Sequence, residues 1–304
     1  MKLTYGGNRL MRRLSVRIAV TGSTGELGGQ VVRLLAATGS HDVVALARRQ
    51  VAFEFAAITA ASAEYTDLES LRSALRGVDV LVFISSDGDS AKMMIHHQNI
   101  VRAAVDNEIP HVVYLSGVDA DLASPFCYAY TNGYTEQLLG ASDCAVSVAR
   151  ASIYIEFFAQ FLRPARTTGE IRLPAADGHI SLVSREDVGY CLAALATAPA
   201  TGRHHDLTGS QLLDMDAIAK ITSREWEMPI RYTDISPAQF GSELARAGEE
   251  PWWTYAFSSM FASVREQRWA RLTDEVQRLT GRAPRTLANV LARRRNDRTS
   301  DAGK

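Results

Sequence analysis

Apolar and polar positions alternate in blocks along this chain. Val16 to Thr21 (VRIAVT) is a short apolar run rich in β-branched residues, followed by a glycine cluster and the helical pattern QVVRLLAA. That order predicts strand, tight loop and helix. HDVVALARR, from His41, reads as a second buried strand ending on Arg48 and Arg49. A weaker pattern at Ala63 to Tyr65 predicts a short third strand. Residues 67 to 77 read as a helix, with Asp67 as its cap and Gly77 as its stop. VDVLVFIS, from Val78, is another strand. Gln98 to Asn107 is helical, Pro110 breaks the helix, and HVVYLSG is a strand again. A helix through Thr135 to Leu139 and the strand CAVSVAR, ending at Arg150, continue the series. Nearly continuous apolar strands separated by helices predict a parallel sheet covered on both faces.

Beyond Arg150 the rhythm changes. Residues 151 to 180 mix aromatic residues with Pro164, Pro174 and glycines, and read as an irregular lobe. SREDVGYCLAALA predicts a helix capped by Ser184, with Glu186 and Asp187 near its positive end. HHDLTG, from His204, reads as one more strand. The remainder, to about residue 291, is mostly helical around the tryptophan-rich EEPWWTYAFSSMF. The expected fold is α/β: a Rossmann-type doubly wound parallel sheet with a smaller, mostly helical C-terminal substrate lobe over the C-terminal edge of the sheet.

Composition narrows the function. The chain has 304 residues, a net charge of −1, 46% hydrophobic and 22% charged residues, which is the make-up of a globular protein. Near-neutral charge gives no reason to expect nucleic acid. Three scattered cysteines, Cys127, Cys144 and Cys191, suit a reducing compartment, and a cytoplasmic location is expected. No apolar stretch reaches membrane-spanning length. Residues 1–14 read as a basic leader without a secretory core, and Arg293 opens a polar tail to residue 304.

The segment TGSTGELGG carries the clearest chemistry. Gly22, Gly25 and Gly28 are spaced GxxGxxG between a strand and a helix. One glycine permits the tight turn, one lets backbone N–H groups approach a pyrophosphate, and one lets helix and strand pack closely. The helix N-terminus then offers free N–H groups to the phosphates. Where an NAD-binding protein carries an acid after its second strand, this chain has Arg48 and Arg49. Guanidinium groups suit a 2′-phosphate, so NADP(H) is the expected cofactor.

These segments, with DLESLRSALRGVDVLVFIS, HHQNIVRAAVDNEIPHVVYLS, REDVGYCLAALATAPATGRHHDLTG and DEVQRLTGRAPRTLANVL, resemble the NmrA-like, atypical short-chain dehydrogenase/reductase family over nearly the whole chain after residue 15. The likeness is strongest to its NAD(P)H:quinone oxidoreductase branch. The resemblance implies a discontinuous NAD(P)-binding domain of residues 15–150 and 181–209, with 151–180 and 210–304 forming the substrate lobe. It implies that the backbone of Ser23, Thr24, Glu26 and Leu27 lies near the phosphates. It puts Glu64 beside the adenine amino group and Ser85 and Ser86 near the middle of the cofactor. It makes Arg150, Tyr154 and Phe157 substrate-lining.

The wider short-chain family works with Ser, Tyr and Lys, the last two spaced YxxxK. Here Ser116 ends the fifth strand, and Tyr128 to Asn132 (YAYTN) has the spacing but asparagine for lysine. Asn132 can hydrogen-bond a ribose but supplies no charge to lower a tyrosine pKa from about 10. Tyr128, Asn132 and Ser116 are therefore candidates for a weakly acidic site. Quinone reduction tolerates this, because the hydroquinone anion is stabilised by its ring. The expected function is an NADPH-dependent reductase passing hydride to a quinone-like or other flat conjugated electrophile, without metal or flavin. The alternative is an NADP(H)-sensing regulator without catalysis. A homodimer or a regulated protein partner is compatible with either. Trp252, Trp253, Tyr255 and Phe257 read equally as a lid or as an anchor for the lobe. Cys127 reads as a small hydrophobe or a redox-sensitive thiol. The pairs His96–His97 and His204–His205 diverge on a helix or strand, so no metal site is expected.

Overall fold

The apolar runs become parallel strands because their side chains are buried on both faces. A computed structural model describes residues 15–48, 58–85 and 88–293. The leader, Arg49, Ser86 and the tail from residue 294 lie outside the described residues. The first half contains β1 (Val16–Val20), α1 (Glu26–Ala37), β2 (His41–Ala47), β3 (Ile58–Ser62), α2 (Leu68–Ala74), β4 (Val80–Ile84), α3 (Ser90–Asp106), β5 (His111–Gly117), α4 (Cys127–Gly140) and β6 (Ala145–Ala151). There follow α5 (Ile155–Leu162), α6 (Ala165–Thr168), β7 (Glu170–Leu173), α7 (Arg185–Thr197), β8 (His204–Leu207), α8 (Met215–Trp226), β9 (Arg231–Asp234), α9 (Pro237–Arg246), α10 (Pro251–Arg265) and α11 (Glu275–Thr280).

The main sheet has seven strands in the order β3-β2-β1-β4-β5-β6-β8, and every pairing is parallel. Strand order reverses between β1 and β4, which opens the crevice where ligands of such sheets bind. On one face, Val31, Val32 and Leu35 of α1 and Leu192 and Leu195 of α7 pack against Ile18, Val20 and Val82. On the other, α2, α3 and α4 cover Leu81, Phe83 and Tyr114. Each large apolar side chain fully buried this way contributes roughly 1.5–3 kcal/mol.

Polar caps set where the helices begin. The Asp67 carboxylate accepts from the N–H groups of Glu69 and Ser70, and Asp89 does the same for Ala91 and Lys92. Ser184 accepts from the Asp187 N–H at 3.0 Å. The Asp89 cap explains why α3 starts eight residues before the apolar pattern at Gln98: its first two turns are half-exposed. The third strand also differs from the sequence pattern. It runs over Ile58–Ser62, not Ala63–Tyr65, because an edge strand of small, half-exposed residues carries no apolar run.

The region read as irregular, 151 to 180, is more ordered than its prolines and glycines imply. It holds α5, and β7 pairs in parallel with β9 to form a second, two-stranded sheet. β9, in the stretch read as helical, owes its place to this long-range pairing. A third core, with Phe158, Leu162, Ile218, Phe240, Phe261 and Val264, fills the lobe. The Gly-Arg-x-Pro-Arg segment ties this lobe back to α7. Arg282 lies over the Tyr190 ring at 4.3 Å, and Arg285 pairs with Glu186 at 2.5 Å.

The adjacent histidines diverge, as expected from helix and strand geometry. His97 is buried between α3 and α4, with Nδ1 at 2.8 Å from the Thr135 hydroxyl; burial lowers its pKa to about 3 and keeps it neutral. His204 and His205 face opposite sides of β8, toward Glu136 and Glu275. No helix among the described residues is long and apolar enough to cross a membrane. Among the described residues, no three His, Cys, Asp or Glu side chains converge as metal ligands.

Candidate active site

The loop between β1 and α1 has the geometry that its glycines require. Gly22 has φ +60°, in the left-handed region that a side chain disfavours. A Cβ on Gly28 would lie 2.1 Å from the Gly22 carbonyl oxygen, so only glycine allows α1 to sit this close. Gly25 is the N-cap of α1, and its side-chain position meets only the Gly22 carbonyl oxygen, at 3.3 Å. Thr24, Gly25 and Glu26 form an exposed crest, whereas Leu27 is buried. The Ser23 hydroxyl donates to the Leu46 carbonyl at 2.7 Å, which moors the loop to β2. Glu26 pairs with Arg185 at 2.7 Å across the mouth of the loop. The result is a cradle of backbone N–H groups at a helix N-terminus, which fits a pyrophosphate.

Arg48 stands exposed at the end of β2 and pairs with no described carboxylate. Glu64 is exposed just after β3. Tyr65, which sequence reasoning passed over, accepts a hydrogen bond from the Gly22 N–H at 2.8 Å. Burial pushes its phenol pKa up, so it remains protonated.

Helix α4 carries the second half of the site. Tyr128, Asn132 and Glu136 recur every four residues and so share one stripe. Asn132 Oδ1 accepts from the Tyr114 hydroxyl at 3.1 Å and lies 3.5 Å from the Ser85 hydroxyl. Ser85 itself donates to the Leu115 carbonyl at 2.8 Å. The Tyr128 hydroxyl donates to the Gly88 carbonyl at 2.8 Å. Its ring is flanked by Phe126, at 5.5 Å, and Trp252, at 6.4 Å. The tryptophan-rich stretch therefore divides its work. Trp252 faces Tyr128, while Trp253 stacks on Phe257 at 5.6 Å and anchors the lobe. Cys127 is buried, which pushes its thiol pKa up, the state of a small hydrophobe rather than a reactive thiolate.

The other candidates gather elsewhere. The Ser116 hydroxyl donates to Glu136 at 2.5 Å rather than to Asn132. Arg150 grips the same carboxylate through Nε at 2.9 Å and Nη2 at 2.5 Å, and His204 Nε2 lies 3.1 Å from it. Arg150 thus lines a polar cavity of about 780 Å³ with Glu136, His204, Arg268 and Arg271. Tyr154 lies under the Arg185 guanidinium at 5.4 Å, and Phe157 meets Phe161 and Phe257 edge-on or tilted. The structure brings Ser85, Tyr128 and Asn132 to one place, and Ser116 and Arg150 to another. Glu136, the link between the two groups, was legible only as the next residue on the Tyr128–Asn132 stripe.

A glycine loop at the switch point of a parallel sheet, with an exposed guanidinium at the end of the second strand, defines a dinucleotide-binding protein of the Rossmann class. The chain belongs to the NmrA-like family, which matches residues 15–267. It is 29% identical to quinone oxidoreductase 2 of Escherichia coli over 236 residues, 76% of this chain and 82% of the relative. It is 25% identical to an NAD(P)H azoreductase of Xenophilus azovorans, covering 89% of this chain and 95% of that one. The crystal structure of the NADPH-dependent quinone oxidoreductase of Escherichia coli, complexed with NADPH, superposes with a TM-score of 0.84. It is 25% identical and covers 91% of this chain and 99% of that one.

Proposed function

We propose that this protein is an NADPH-dependent reductase that passes hydride to a quinone-like or other flat conjugated acceptor. The observation that carries the reading is Tyr128, set between Phe126 and Trp252 on the same helix stripe as Asn132. Aromatic walls favour a flat apolar acceptor, and the tyrosine hydroxyl reaches its oxygen only by giving up the bond to the Gly88 carbonyl. The quinone and azo chemistry named for the relatives supports the same class of acceptor.

Bound NADPH supplies a hydride. The backbone from Gly22 to Leu27 holds the pyrophosphate, and Arg48 takes the 2′-phosphate. Glu64 faces the adenine. Asn132, oriented by the Tyr114 hydroxyl and flanked by Ser85, holds the nicotinamide ribose. Ser116 acts one step removed, through Glu136. We read residues 15–150 and 181–209 as the cofactor domain, and 151–180 and 210 onward as the substrate lobe. Asn132 stands where the wider short-chain family has lysine, so we read catalysis as resting on positioning, with protons from solvent.

Two results are expected. Tyr128→Phe lowers quinone turnover only modestly, whereas a general acid contributes about 10²–10⁴-fold. Asn132→Ala weakens cofactor binding and turnover together. Loss of NADPH absorbance with a panel of quinones and azo dyes measures both. Tight NADPH binding with no consumption by any acceptor would replace the enzyme with the regulator reading.

A third expectation concerns cofactor choice. NADPH binds more tightly than NADH, and Arg48→Ala lowers that preference roughly tenfold or more, since a charged hydrogen bond contributes about 1.5–3 kcal/mol. Titration of both cofactors checks it; equal affinities in the unaltered protein would sink the assignment of Arg48.

A further inference from the structure

His96 lies on α3 with its ring edge-on to Tyr65, centroids 5.8 Å apart. The Tyr65 hydroxyl is bonded to the Gly22 amide of the glycine loop, so one aromatic ring separates His96 from that loop. The backbone carbonyl of Tyr65 accepts from Asn99, one turn further along α3, which fixes the ring pair in place. His96 Nδ1 is buried and has no hydrogen-bond partner among the described residues. A buried polar nitrogen left unpaired is costly, and a native protein retains one where something else compensates.

The charges around His96 come from three elements. Arg48 acts on it electrostatically from the end of β2, where the Ala63 N–H donates to the Ala47 carbonyl at 3.0 Å beside the segment that leads to Tyr65; Glu64 acts from beyond β3 and Lys92 from its own helix. Tyr65 stays protonated, and His97 is already neutral and turned toward Thr135. Arg48 is the residue read above as the 2′-phosphate ligand. Its charge acts on His96 across the same corner of the molecule.

We propose that His96 is a second determinant of the phosphorylated cofactor: it takes up a proton when a 2′-phosphate binds beside Arg48, so that the preference for NADPH over NADH steepens as pH falls. The inference rests on the Arg48 reading and extends it.

The sign follows from the surroundings. In the free protein, burial lowers the His96 pKa; Glu64 opposes this, and Arg48 and Lys92 add to it. The imidazole is therefore neutral at pH 7. A phosphate dianion beside it favours the imidazolium and raises that pKa. The added affinity is present below the pKa of the complex and fades above it. NADH has no 2′-phosphate and leaves His96 neutral.

The test compares the unaltered protein with His96→Gln, which keeps a polar side chain of similar size. Calorimetric titrations with NADPH and NADH, each in two buffers of different ionisation enthalpy, count the protons taken up. With NADPH near pH 6.5, the unaltered protein takes up more protons than His96→Gln; with NADH the two agree. The NADPH-to-NADH affinity ratio falls roughly three- to tenfold in His96→Gln near pH 6.5, the size of one screened charge contact, and the two proteins converge near pH 8.5. A histidine ring titration by NMR in the unaltered protein, with and without NADPH, needs no variant; it shows one pKa rising on binding. Equal proton counts and equal affinity ratios in the two proteins, with NADPH preference intact, overturn this proposal alone. Equal affinity for the two cofactors in the unaltered protein overturns it together with the Arg48 reading.

Discussion

Gly25→Val abolishes NADPH binding and leaves the fold standing. Gly25 has φ −78° and ψ 167°, an extended conformation that any residue adopts. Its side-chain position meets only the Gly22 carbonyl oxygen, at 3.3 Å, and is otherwise open. The isopropyl group therefore enters the space in front of the α1 N-terminus, over the exposed crest from Thr24 to Glu26. A pyrophosphate excluded from those amides loses several charge-assisted hydrogen bonds of about 1.5–3 kcal/mol each, at least roughly a hundredfold in affinity. Gly28→Ala is a different lesion. Its Cβ would lie 2.1 Å from the Gly22 carbonyl oxygen, so the loop itself must open. NADPH titration, with thermal melting as the check on folding, separates the two variants. Unchanged affinity in Gly25→Val would mean that the pyrophosphate binds somewhere else.

Glu136→Ala destabilises the protein by about 2–4 kcal/mol. Removing one partner of a buried ion pair costs about 3–5 kcal/mol, and partial exposure reduces that. The Glu136 side chain is 9% exposed and that of Arg150 21%. Glu136 joins α4 to three strands at once: β5 through Ser116, β6 through Arg150 and β8 through His204. Its loss leaves the Arg150 guanidinium half-buried and unpaired. The double variant Glu136→Ala/Arg150→Ala recovers part of the stability, because no cation is left behind. At about 2–4 °C per kcal/mol for a protein of this size, the melting point falls by several degrees. A melting point within about a degree of the unaltered protein would mean that water in the adjoining cavity solvates Arg150. Asn132 stands one helical turn from Glu136, so turnover falls with stability in Glu136→Ala. Glu136→Gln retains the shape and an acceptor, and recovers part of both.

The cofactor half of the site was legible because its chemistry is local. A glycine loop, the strand before it and the helix after it lie within about twenty consecutive residues, and the arginine follows one strand later. The period of the apolar positions also marked β1, β2, β4, β5 and β6, whose side chains are buried on both faces and leave a continuous run. Where a strand is paired but not buried, as in β3, or draws its partner from far along the chain, as in β7 and β9, no such run exists, and the pattern misled.

The catalytic half divides at the same boundary. Tyr128 and Asn132 were visible through their spacing, since four residues on a helix is itself a contact. Whether Ser116 joins them depends on which side chains meet across α4, β5, β6 and β8, and there the Glu136 carboxylate holds the serine hydroxyl. Tyr65 and His96 meet only because the segment between β3 and α2 packs on α3. The sequence by itself determined the alternation of strands and helices, the phosphate-binding loop and the charge at the end of β2. Tertiary structure alone decided which polar side chains share a site. Backbone propensity and burial period act within a few residues, whereas hydrogen-bond partners are chosen among side chains more than a hundred positions apart, as Glu26 and Arg185 are.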